Sequence, residues 1–205
     1  MRPMSALDDE VIAVAARLVV EEGLEYGPAK RHAVKQLGLG MRTALPKNED
    51  VERAVEEYIA LFCADTQPGE LRILRELALS WMERLTAFRP HIAGAVWHGF
   101  ATAKSSIYLQ LFCDDSKSAE IALIDMGAQF DTASATGFHG EMVDVLVMQP
   151  MARALGVYVA VHLFVYDFDD LRGALKPDAR GRAPRGDTAA LRKRLLGDQK
   201  NEDGR

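Results

Sequence analysis

The stretch GAVWHGFATAKSSIYLQLF, Gly94 to Phe112, decides how the rest of this chain is read. Its last part, Ile107 to Phe112, puts Ile, Leu and Leu at every second position, the period of a β-strand. Gly94 and Gly99 stand where the chain must leave one element and enter another. Taken one by one, these are strand-end glycines and a generic strand. The information lies in the spacing of the whole stretch and in what flanks it.

Upstream, the period is helical. Val11, Ala15, Leu18 and Val19 form one stripe, stopped by Gly23. Pro28 opens a short second helix that runs to Gly38 and Gly40. Asn48 reads as an N-cap, with Glu49, Asp50 and Glu52 where a helix N-terminus favours negative charge. Val51, Val55, Tyr58, Ile59 and Phe62 mark the buried side of that third helix. A fourth helix is predicted from Pro68 through Trp81 and Leu85 to Phe88.

Downstream, the period is two. Strands are predicted at Ile107–Phe112, Ala128–Ala135, Glu141–Met148 and Val157–Tyr166, the last apolar on both faces and therefore central. A helix capped by Ser116 and stopped by Gly127 separates the first two. Thr136 to Gly140 has the glycines of a hairpin loop. The segment DFDDLRGAL turns helical behind an aspartate cap, Asp169 or Asp170. From Lys176 a polar Pro/Gly/Arg linker leads to a short basic helix.

Composition narrows the class. The 205 residues are 48% hydrophobic and 27% charged, ordinary for a globular chain with a sizeable core. No run approaches eighteen apolar residues, so no membrane partner is expected. No apolar run follows Arg2, so a secretory signal is not expected. Cys63 and Cys113 cannot form a disulfide framework and read as reduced thiols, which points to a cytoplasmic protein. A net charge of −5 argues against a chain wholly devoted to nucleic acid. No P-loop, dinucleotide fingerprint, C-x-x-C or H-E-x-x-H is present.

Gly94 to Phe112 resembles the signature of the nucleotidyltransferase (polymerase-β-like) superfamily, in which a strand ends in G-S, continues through x-x-x-G, and a second strand carries S-D-x-D. Gly94 and Gly99 fall on the two glycines, Ala101-Thr102 on the intervening A-T, and Ser105 on the serine before the metal-binding strand. His98 falls where family members often carry an arginine near the phosphates. Val143-Asp144-Val145-Leu146 stands in the place of the third family carboxylate. The resemblance covers roughly Arg89 to Met148 and departs at three points: Ala95 replaces the serine of G-S, and Ser106 and Tyr108 replace the two aspartates. D-x-D puts two carboxylates on one strand face for Mg²⁺. A neutral hydroxyl is a poor ligand there, and a tyrosine ring fills the space a metal needs.

The resemblance therefore implies an α+β protein. It has a helical region at 1–88, a nucleotidyltransferase-like domain at 89–176 with a mixed sheet flanked by helices, and a basic, partly disordered tail at 177–205. It implies a catalytically inactive member acting as a nucleotide- or phosphate-binding or regulatory module, with Gly94, Gly99, Ser105, Ser106 and His98 as nucleotide contacts and no required cofactor. Positions 94, 106, 108 and 144 are expected to converge on one cleft. One alternative is an active enzyme using Asp144 with Asp114 or Asp115 and Mg²⁺. The pair Asp114-Asp115 is read more simply as favouring the N-terminus of the next helix. Asp167-Phe168-Asp169 is a D-x-D in the wrong order for the family, and His162 is read as a hydrogen-bonded core histidine. A further alternative is a nucleic-acid or protein partner bound through Lys30, Arg31, Lys35 and the basic tail. That tail carries eight Lys/Arg between Arg172 and Arg194 against Asp178 and Asp187.

Overall fold

A computed structural model describes residues 6–40, 42–175 and 181–203. Contacts divide the chain into two units, Met1–Gln67 and Pro68–Arg205. The boundary expected near residue 88 therefore falls about one helix earlier.

The first unit contains α1 (Ala6–Glu22), α2 (Tyr26–Gln36) and α3 (Asn48–Phe62), with α1 packed on both others. Val11, Ala15, Leu18, Ala29, Ala33, Val51, Val55 and Ile59 are buried at the helical spacing that selects them. Asn48 is the first helical residue, and the cap position falls to Lys47, which makes no side-chain cap bond. Lys30, only 9% exposed, explains what Asn48 does instead. Its ammonium donates to Asn48 Oδ1 at 2.7 Å and to the Pro46 carbonyl at 2.9 Å, tying α2 to the entry of α3.

The second unit begins with α4 (Gln67–Arg84), followed by a 3-10 turn at Thr86–Phe88. Its other elements are β1 (His91–Ala93), α5 (Gly94–His98), β2 (Ile107–Cys113), α6 (Ser116–Asp125), β3 (Asp131–Thr136), β4 (Met142–Met148), β5 (Met151–Ala152), β6 (Val157–Tyr158), β7 (Val161–Asp167), α7 (Leu171–Ala174), β8 (Arg185–Asp187) and α8 (Thr188–Asp203). The unit is α+β. Six strands among the described residues form one sheet in the order β3-β4-β7-β2-β1-β8. The β2–β7 pair is parallel and every other pair is antiparallel, so the sheet is mixed.

Several boundaries differ from the sequence reading, each for a local reason. The run Val157–Tyr166 splits: Val157 and Tyr158 pair with β5 in a separate ribbon, and the sheet strand starts at Val161. The second predicted strand starts at Asp131, because Ala128 and Phe130 pack into the core first. Asp115, one residue before Ser116, caps α6 by accepting from the Lys117 N–H at 3.0 Å. Asp167 rather than Asp169 or Asp170 caps the turn after β7. Of the predicted tail, 177–180 and 204–205 lie outside the described residues. The rest supplies β8 and α8, whose Leu191 is fully buried.

The core lies on one face of the sheet. Ile92, Ile107, Leu109, Leu111, Leu146, Met148, Val161, Leu163 and Val165 point to it, where Leu74, Ala78, Met82 and Leu85 of α4, Val96 and Trp97 of α5, Ala119 and Leu123 of α6, and Leu191 of α8 meet them. Each such aliphatic side chain contributes about 1.5–3 kcal/mol by leaving water. The helices thus gather on that face. The opposite face carries a different, aromatic set.

Candidate functional site

β1 runs straight into Gly94, whose φ of 70° is in the left-handed region. A β-carbon there would meet Tyr108 Cδ2 at 3.2 Å. Glycine is needed both for the turn and for the ring beside it. The structure brings Gly94 and Tyr108 together, with Ser106 two residues before the tyrosine and half-buried.

The register of the strands extends this site across the sheet. Ala93, Tyr108, His162 and Val147 lie in one row, and His91, Gln110, Phe164 and Val145 in the next. Side chains in a row share a face, so all eight belong to the face opposite the core. Tyr108 stacks on His162 with ring centres 5.0 Å apart. Phe112 and Tyr166 stack at 5.7 Å, and Phe138 from the β3–β4 hairpin stacks on Tyr166 at 4.0 Å. Burial among these rings holds the His162 imidazole below the usual histidine range and the Tyr166 phenol above its own. Both groups are neutral at pH 7.

Arg185 enters from the edge strand. It is registered with Ala93, so it shares the face of Tyr108, and its guanidinium carbon lies 4.7 Å from the Phe138 ring centre. Nε and Nη1 are buried without a hydrogen-bond partner among the described residues, as is Gln110 Oε1. Burial also pulls the Arg185 pKa down from its ordinary value, though a guanidinium remains charged. An unsatisfied buried donor costs about 1–3 kcal/mol, and more for a charged one.

The other residues expected at the site are placed elsewhere. Gly99 closes the C-terminal end of α5 with φ 102°, where carbonyls rather than N–H groups project. Arg75, 3% exposed, satisfies that end. Its Nε donates to the Val96 carbonyl at 3.0 Å, Nη2 to the Trp97 carbonyl at 3.2 Å, and Nη1 to Asp198 of α8 at 2.6 Å. Ser105 Oγ accepts the Thr102 N–H at 3.0 Å and completes a turn. His98 stacks on Phe100 with centres 6.1 Å apart.

Asp144 does not join Gly94, Ser106 and Tyr108. It is registered with Val165, which pairs with Leu111, so it points to the helix side of the sheet. Its place is an exposed hollow lined by Ser116, Lys117, Glu120, Thr132 and Ser134. Lys117 there bridges to Glu120 at 2.7 Å and also feels the charges of Asp144 and Asp115. Asp115 is committed to capping α6, and Asp114 lines a hollow with Phe88, Arg89 and Phe168. Among the described residues no three His, Cys, Asp or Glu side chains converge closely enough to hold a metal ion.

Several basic residues have structural duties. Lys30 is the buried tie described above, while Arg31 and Lys35 are exposed. In the C-terminal segment Arg192 pairs with Glu83 at 2.6 Å, and Arg194 lies over the Trp97 ring at 3.8 Å.

Sequence reasoning missed His162 and Arg185. His162 is stacked on Tyr108, and only pairing across the parallel strands reveals that. The local signal for Arg185 was a short Arg-Gly-Asp before a helix, read as linker. Gly186 is the strand's closest approach: a β-carbon there would overlap the Trp97 indole of α5.

No family model matches the chain. Among curated proteins, it is 27% identical over 73 residues to leucine--tRNA ligase 2 of Saccharolobus solfataricus (strain ATCC 35092 / DSM 1617 / JCM 11322 / P2). That match covers 35% of this chain and 8% of that protein. Among solved structures, the fold is similar to the Cid1 poly(U) polymerase with MgGTP bound, at a TM-score of 0.36 and 11% identity, over 54% of this chain and 38% of that one. The chain thus spans a small part of either protein. No described helix is long and apolar enough to cross a membrane.

Proposed function

We propose that this chain is a nucleotide- or phosphate-binding module built on a nucleotidyltransferase-like sheet, a pseudoenzyme rather than a metal-dependent transferase. The observation that carries the reading is the Tyr108 ring. It lies against Gly94 and stacks on His162, on the face and at the strand position where the resemblance requires a metal-binding carboxylate. A phenol and a neutral imidazole offer Mg²⁺ no anionic oxygen. Ligand recognition is supported by the contents of the same face, where the stacked Tyr166 and Phe138 rings lie beside the Arg185 guanidinium.

Two measurements test the two halves separately. Titration calorimetry with ATP, CTP, GTP and UTP, with and without Mg²⁺, is expected to show binding; no heat with any of them removes the ligand. Incubation with labelled nucleotide, Mg²⁺ and RNA or small acceptors is expected to give no transfer. Transfer that disappears in Asp144→Asn overturns the inactive assignment.

A further inference from the structure

We infer that the open edge of β3 is a dimerisation edge, on which a second copy of this chain lays its own β3 antiparallel. The inference stands apart from the nucleotide reading, because β3 and β8 are the two opposite edges of the sheet.

The Gly137 N–H donates to the Glu141 carbonyl at 2.7 Å, and the register continues from that pair along β3 and β4. Hydrogen-bonded pairs alternate in an antiparallel ladder, so Asp131, Ala133 and Ala135 bond to β4. Thr132, Ser134 and Thr136 therefore turn their N–H and C=O groups away from the sheet, and all three residues are exposed. The two edges of the sheet are unlike. β8 is three residues long and carries Arg185 and Asp187, the usual protection of an edge. β3 is six residues long, and from Thr132 to Thr136 it has no charge, proline or glycine. Such an edge is a template for another strand.

Its sequence names the partner. Thr132-Ala133-Ser134-Ala135-Thr136 reads the same in both directions about Ser134. A twofold axis through Ser134 sets that residue opposite itself and Thr132 opposite Thr136 of the second copy. Every outward N–H then meets a carbonyl, and no like charges face each other along the ladder. The edge is self-complementary, as an isologous dimer requires.

Five paired residues, about 17 Å of strand, do not by themselves bury the roughly 1,200–2,000 Å² of a stable dimer. α6 extends the surface. Its Ser116, Lys117 and Glu120 line a hollow with Thr132, Ser134 and Asp144, so this helix flanks the open edge. Ile124 lies one turn beyond Glu120 and two beyond Lys117, on that flank. It is 60% exposed, with Ile121 beside it at 56%. α6 is the crossover from β2 to β3 and runs along the strands, so the same axis sets it antiparallel to its copy. The isoleucines of the two helices then face each other, and the Lys117 end of one lies by the Asp125 end of the other.

The full chain is tested by analytical ultracentrifugation and by hydrogen exchange of individual amides, each followed on dilution from about 100 µM to about 1 µM. A mass of two chains is expected at the high end. The Thr132, Ser134 and Thr136 amides should exchange slowly there and rapidly on dilution, while Ala133 and Ala135 stay protected throughout. Ser134→Pro removes an outward N–H that β4 does not use, and should weaken the dimer about tenfold or more. Ser134→Lys places two like charges at the axis and should weaken it similarly, with recovery as salt rises. Ile124→Ser should weaken it about tenfold through α6.

The amides are read in the unmutated chain, so the result does not depend on a variant folding. A chain that stays single at about 100 µM overturns the proposal, whatever added peptide its edge then takes up. A dimer whose Thr132, Ser134 and Thr136 amides exchange freely overturns it by placing the contact elsewhere. Slow exchange at these amides in a single chain overturns it too, since the edge is then covered from within. Dimers that survive both Ser134 variants unweakened count the same way.

Discussion

Gly94 and Tyr108 fix each other: a β-carbon on the glycine would stand 3.2 Å from Cδ2 of the tyrosine ring. The turn at the end of β1 and the side chain on β2 are thus one packed unit, although fourteen positions of sequence separate them.

Gly94→Ala should therefore lose stability twice. The left-handed backbone costs about 1–2 kcal/mol for a residue with a β-carbon, and the crowding with Tyr108 adds about 1 kcal/mol. In a Tyr108→Ala background only the backbone part should remain. Urea unfolding of the four proteins gives the coupling; equal costs in both backgrounds would remove the contact from the account.

Arg75 holds the carbonyl end of α5, so Arg75→Met should destabilise the second unit by about 3–5 kcal/mol, leaving buried carbonyls and Asp198 without their donor. Asp198→Asn should cost only about 1 kcal/mol, because that carboxylate is 32% exposed and water replaces part of what it loses. Equal costs for the two variants would show that the ion pair, not the carbonyl cap, dominates.

Stability should fall on mild acidification. Burial holds His91 and His162 below the ordinary histidine value of about 6.5, so the unfolded chain takes up protons first as the pH drops. The contribution is complete above about pH 6.5 and is lost as pH falls from there through the folded values. Urea midpoints at about pH 7.5 and about pH 5.5 read the slope, and His162→Asn should flatten it. An unchanged slope in that variant would acquit the imidazole.

Asp144→Asn should change stability by less than about 0.5 kcal/mol and leave any ligand affinity intact, since the carboxylate is exposed on the helix side of the sheet. A large loss of binding in this variant would move the ligand to the hollow beside α6.

Much of the second unit was legible because its signals are local. The alternation in Ile107–Phe112, the glycines of Thr136–Gly140 and the helical run at Ala119–Leu123 each fix an element without reference to anything distant. The alternation of β4 sets Asp144 on one side with Met142, Leu146 and Met148. Which set meets the helices, however, is decided by pairing with β7, and no periodicity within β4 records that. His162 escaped for the same reason. In an apolar strand both faces look alike until the parallel neighbour supplies Tyr108. Lys30 shows the converse error, since a basic helix residue counted as surface charge is a buried donor to Pro46 and Asn48.

The edge position of β8 has a temporal consequence. Synthesis proceeds from the N-terminus, so β1 remains the bare rim of the sheet until Asp187 has left the ribosome. A nascent chain halted before that point displays unsatisfied backbone to its neighbours and lacks the arginine altogether, which makes the closing strand a safeguard during translation as well as a wall of the finished protein.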